Sequence, residues 1–171
     1  MKTRLLHLRA IGILSVTLLA GTSAVPDNSN SFSAELTGDV EVSISGSATF
    51  GRVAGGPTAP DVFTVSLGGD SSQAAVLFTR PNSRRLKVGS YHVSSPGVSD
   101  GSLQALVMVG SSEASQGVFR ASAGTLTITS VSDYAITGLF SLEATGFLAS
   151  KPGHEDQRVS VSGFFSAERS L

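Results

Sequence analysis

Tyr134-Ala-Ile-Thr-Gly-Leu-Phe-Ser-Leu-Glu-Ala-Thr-Gly146 is the stretch that decides the fold. Every second residue, Ile136, Gly138, Phe140, Leu142 and Ala144, is apolar or glycine. The alternate set is Thr137, Leu139, Ser141, Glu143 and Thr145. Side chains alternate across a β-strand with period two, so the pattern predicts one long strand with a buried inner face. Its centre recurs in the same phase as Ile44-Ser-Gly-Ser-Ala-Thr-Phe50 and as Val161-Ser-Gly-Phe-Phe-Ser-Ala167. The three copies predict an all-β chain. Gly46, Gly138 and Gly163 fall on inward positions, where a missing side chain lets a strand bend or a facing aromatic settle. Phe50, Phe140 and Phe165 are expected to fill that space.

Outward from this stretch the same alternation continues. Val40 to Arg52 carries Val40, Val42, Ile44, Gly46, Ala48 and Phe50 inward, after a short strand Phe32–Leu36 and a turn at Gly38-Asp39. Phe63, Val65 and Leu67 mark another strand. Ala74–Thr79 is more uniformly apolar and reads as covered on both faces. Gly89–Val93, Leu103–Val109, Gly117–Ser122, Gly124–Ser130 and Val159–Ala167 complete about ten strands, with turn signals every 8–12 residues. Short hairpin-like links and one-sided alternation predict antiparallel pairing. The expected architecture is a β-sandwich or a flattened β-barrel.

The first residues stand apart. Lys2, Arg4 and Arg9 precede the apolar run Ala10–Ala20, and small residues follow to Ala24. A basic start, a short apolar run and a small-residue site read as a cleaved signal peptide over 1–24. The run is shorter than the ~20 residues that span a bilayer. A polar leader, 25–31, then precedes a single domain over 32–171. The signal holds three of the 12 basic residues and none of the 13 acidic ones, so the exported chain carries nine against 13, a net charge of about −4. That balance disfavours nucleic acid or an anionic membrane as partner. Cysteine is absent, which excludes disulfides, thiolate metal sites and a lipid-modified cysteine anchor. The expected location is periplasmic or extracellular. An outer-membrane barrel is disfavoured because the outward positions carry Ser, Thr and charge and tryptophan is absent.

The segment Lys87–Ala167 resembles families of uncharacterised bacterial exported β-domains, many of them lipoproteins. The resemblance rests on Gly89-Ser-Tyr91, Gly124-Thr-Leu-Thr-Ile-Thr129, Ile136–Ala144 and Val159-Ser-Val-Ser-Gly-Phe-Phe-Ser-Ala167. It implies fold and compartment and no activity.

Chemistry-bearing residues are sparse. Arg80, Arg84, Arg85 and Lys87 form the one concentration of charge, and Arg forks pair with phosphate, sulfate or carboxylate. The alternative is a solvated loop that discourages edge pairing. His154, Glu155 and Asp156 are potential metal ligands, but three adjacent loop residues cannot all face one ion, so no metal is expected. Gly97-Val-Ser-Asp-Gly101 matches a nucleophile elbow around Ser99, with His92 as the nearest base in sequence. No helix follows it as that motif requires, so a turn is the better reading. Thr125, Thr127 and Thr129 form a single outward row, which suits an exposed strand. No cofactor motif is present. The residues therefore predict a non-enzymatic exported domain that binds or scaffolds an envelope or extracellular partner. Two further readings are a barrel carrying a small apolar ligand inside, and a serine hydrolase.

Overall fold

The structure, a computed structural model, describes residues 30–54, 61–69, 74–81, 85–95, 102–110, 116–149 and 157–170. The signal-peptide segment and most of the leader lie outside the described residues. Among the described residues nine strands form: β1 (Ser31–Gly38), β2 (Val42–Val53), β3 (Val62–Gly69), β4 (Ala74–Pro81), β5 (Gly89–Ser94), β6 (Gln104–Val109), β7 (Gly117–Val131), β8 (Ala135–Leu148) and β9 (Gln157–Arg169). Ser31, assigned to the leader by composition, opens β1, and Asn30 Oδ1 accepts from the Ala48 amide at 3.1 Å.

Eight of the strands close on themselves. The order runs β7-β6-β4-β3-β2-β1-β9-β8, and β8 pairs back onto β7 along the length of both strands. The architecture is a closed antiparallel barrel, not a sandwich. The ninth strand, β5, shares an edge of β7 with β6: β6 pairs with Gly117–Arg120 and β5 with Ala123–Ile128. The two meet at a parallel bridge between Val93 and Leu103.

Nine strands among the described residues agree with the expected count of about ten, and two of the expected strands are one. Gly117–Ser122 and Gly124–Ser130 are a single 15-residue strand, because the register slips at Ala121/Ala123 and at Ile128/Ser130 instead of breaking. Such bulges add twist, which barrel closure needs. The expected turn at Gly38-Asp39 is present. Gly38 has a φ of +114°, and Asp39 Oδ2 accepts from the Arg158 amide at 2.7 Å, tying the turn to β9.

Most inward positions predicted from alternation are buried; the exceptions include the start of β2, where Val42 is exposed and Val40 just before it is half-buried. Phe78, Phe119, Phe140 and Phe165 are fully buried with Leu36, Leu67, Leu126, Ile128 and Leu142. Burying each phenylalanine contributes roughly 2–3 kcal/mol. Phe78 on β4 and Phe140 on β8 belong to strands that are not neighbours, yet their rings meet edge to face at 5.3 Å. They touch across the lumen, so the interior is filled, as the bore of an eight-stranded barrel allows. Gly138 explains how Phe165 fits. A Cβ there would stand 3.0 Å from the Phe165 ring and 2.5 Å from the Thr127 carbonyl oxygen.

β4 departs from expectation. Ala75 and Leu77, which point outward, are half-buried beside their register neighbours Met108 and Leu106, and among the described residues no second sheet layer covers them. Elsewhere the outer wall is hydroxyl-rich: Ser43, Ser45 and Ser47 on β2, and Ser141, Glu143 and Thr145 on β8, are all exposed.

Candidate functional site

At one end of the barrel the inward phase of three strands passes from apolar residue to arginine. On β2, Phe50 is followed two residues on by Arg52; on β4, Phe78 by Arg80; on β9, Ala167 by Arg169. These positions continue the core face into the barrel mouth. Arg52, Phe63 and Arg80 stand in register across β2, β3 and β4, so two arginines flank one phenylalanine. A guanidinium on a long aliphatic stem suits this boundary, since its stem covers apolar surface while its head stays wet.

The last described residues, Arg169 and Ser170, lie here too. β1 starts at Ser31, so beyond it β2 and β9 pair directly, with Thr49 opposite Glu168 and Phe50 opposite Arg169. The Ser170 amide donates to the Phe50 carbonyl at 2.8 Å, and the Arg169 amide to the Tyr134 carbonyl at 2.9 Å. Gly51 makes room for this tail, because a Cβ there would collide with Ser170 Oγ.

Arg52, Arg85, Arg169 and Asp133 surround a depression of about 400 Å³ whose floor holds Phe50 and Phe63, with ring centroids 6.0 Å apart. Arg85 reaches it from the segment after β4. Its Nη1 pairs with Asp133 Oδ1 at 3.1 Å, and its Nη2 donates to the Ser132 carbonyl in the β7–β8 turn. Arg52 Nε pairs with Asp61 Oδ2 at 3.0 Å. The lining therefore holds three guanidinium groups and one carboxylate, with Asp61 beside Arg52. Neither ion pair among the described residues involves the Arg169 side chain.

The basic run predicted as an anion site is divided by the fold. Arg85 enters the pocket. Arg80 lies over the Tyr91 ring at 5.2 Å, a cation–π contact that holds the end of β4 against β5. Lys87 is exposed and acts through its backbone: its amide donates to Tyr91 Oη at 2.6 Å, and that hydroxyl donates to the Lys87 carbonyl at 2.9 Å. Buried Leu86 fixes the segment to the core. Arg84 lies outside the described residues. Arg52 and Arg169 were invisible to a search for charge runs, being far from Arg85 in sequence. The available signal was strand phase, an arginine two residues beyond an inward apolar residue.

The remaining candidates fare differently. His154, Glu155 and Asp156 lie outside the described residues, as does Ser99. His92 is exposed on β5 opposite Thr125. Among the described residues no group of His, Asp and Glu could hold a metal ion. Thr127 and Thr129 are hydrogen-bonded to Ser90 and Thr137, at 3.1 and 2.9 Å, so their hydroxyls are engaged within the wall. A second depression, about 560 Å³, opens on the outer wall beside Leu139 and Phe164, with Ser33, Ser141, Ser162 and Glu35 around it. The described residues that line it include no Lys or Arg. No family model, no curated protein and no solved structure matches this chain.

Proposed function

We propose that this chain is an exported, non-enzymatic binding barrel, acting in the periplasm or outside the cell, that takes an anionic group of its partner at the arginine mouth. The observation carrying this reading is the convergence of Arg52, Arg85 and Arg169 on one open pocket in a chain with more acidic than basic residues. Arg forks bind oxyanions with charge-assisted hydrogen bonds, the strong class of such bonds. Positive charge gathered at one place on an acidic protein also steers an anion to that place. Water as the working solvent is supported by the distribution of side chains. The interior is apolar and the wall carries hydroxyls, the reverse of a barrel that spans a membrane.

The carrier alternative is weakened by Phe78 and Phe140, which meet where an internal ligand would lie. The experiment is thermal melting of the exported form, purified from cells expressing the full chain. Phosphate, sulfate, citrate and acetate are compared with chloride at fixed ionic strength. A ligand at a hundred times its Kd stabilises by about 2.7 kcal/mol, so the midpoint should rise by roughly 5–10 °C. The rise should vanish in an R52Q/R169Q variant. No rise with any anion would contradict the proposal.

A further inference from the structure

We infer that the mouth selects a doubly charged tetrahedral oxyanion, a phosphomonoester, and that in the free protein the Asp133 carboxylate occupies part of its place on Arg85. The inference rests on the anion-binding reading above and narrows it. With Asp61 paired to Arg52, and Asp133 displaced from Arg85 by the incoming anion, the site is left with an excess of two positive charges, those of Arg85 and Arg169. A dianion cancels that excess, whereas a monocarboxylate leaves half of it. The geometry of the donors agrees. One Arg fork is satisfied by the two oxygens of a carboxylate, but two, Arg85 from the segment after β4 and Arg169 from β9, need an acceptor with oxygens facing more than one direction. A terminal phosphoryl group presents three. The depression, about 400 Å³, is larger than such a group alone and falls in the range of small-ligand sites, so the ester's organic part also has room over Phe50 and Phe63.

Asp133 is built to leave. Its side chain is 79 % exposed and bonded to Arg85 at 3.1 Å. The backbone of its turn is held without it. The Ser132 amide donates to the Ala135 carbonyl at 2.8 Å, and Ser132 Oγ accepts from the Ala135 amide at 2.9 Å. Arg85 also keeps the Ser132 carbonyl as a partner when the carboxylate swings away. An incoming phosphoryl oxygen therefore exchanges one anionic partner of Arg85 for another. The turn need not unfold.

The test is titration calorimetry of the exported form with phenyl phosphate, inorganic phosphate, sulfate and benzoate at constant ionic strength, with Asp133→Asn and Arg169→Gln variants. Vesicles of phosphatidylcholine doped with phosphatidic acid, compared with phenyl phosphate, separate a membrane-borne ester from a free one; binding to either supports the inference. Asp133→Asn should tighten phenyl phosphate roughly three- to tenfold, since it removes both a competitor and a repelling charge. Arg169→Gln should weaken it about tenfold or more. Phosphate affinity should rise from about pH 5.5 to 8 with the ester's second ionisation, while sulfate affinity stays level. Among the described residues the groups facing the site are Arg52, Arg85, Arg169, Asp61 and Asp133, with no histidine, the side chain that ordinarily titrates in that range. Benzoate binding as tightly as phenyl phosphate would overturn the dianion inference and leave the anion site standing. Phosphate binding that ignores Asp133→Asn would overturn the exchange. If neither anions nor vesicles bind, both the inference and the reading beneath it fail.

Discussion

The middle of the barrel and its basic mouth are built from the same strands and the same inward phase, and they do opposite things. On β4, Phe78 is fully buried against Phe140 across the lumen, while two residues later Arg80 is half-exposed over Tyr91. On β2 the step is from Phe50 to Arg52, and on β9 from Ala167 to Arg169. An inward position is a core position only while opposing walls close over it. At the mouth the lumen meets water, and the same phase holds a charge at no burial cost. Stability and the proposed binding are thus separated along each strand rather than between strands.

Substitutions should divide along that line. The largest effect is expected in the middle: Phe140→Ala leaves a hole facing Phe78 and should cost about 3–5 kcal/mol in urea unfolding. Its mouth should be intact under conditions where it remains folded. Gly138→Ala comes next, because its Cβ must displace the Phe165 ring or the β7 backbone; a loss of roughly 1–3 kcal/mol is expected by the same measurement. At the mouth the stability effects shrink. Tyr91→Phe removes both hydrogen bonds to Lys87 and should cost about 0.5–1.5 kcal/mol, while Arg80→Gln, losing only the ring contact, should cost about 0.5–1 kcal/mol. Asp133→Asn should be the mildest, at most about 1 kcal/mol and fading in high salt, because the Arg85 pair is largely solvated. A mouth substitution that unfolds the barrel, or a core substitution that spares it, would break the comparison.

Much of the fold was legible because its physics is local. Ile136, Phe140 and Leu142 were assigned inward from period two alone, and they are buried. The seat beneath Phe165 was foreshadowed by Gly138. Closure was not legible. It depends on β1, from the start of the described chain, pairing with β9 from its end, and on β8 continuing beside β7 through two bulges. Alternation at Ser122–Gly124 looks like an ending when a bulge carries the strand onward. The candidate site was half visible. Arg85 drew attention because it sits in a basic run, whereas Arg52 and Arg169 are isolated in sequence and are brought together by β2 pairing directly with β9 past the start of β1. Arg80 belonged to the same run, yet register against Phe63 and contact with Tyr91 give it a bracing role.

The most direct test of a packed lumen beneath the proposed anion-binding mouth is residue-resolved NMR of the protein during titration with phenyl phosphate. Shifts are expected at the amides of Arg52, Arg85, Asp133 and Arg169, with Val107 and Phe140 and the opposite end at Asp39 and Arg158 unmoved. Shifts centred on Val107 and Phe140, or none anywhere at saturating ligand, would contradict it.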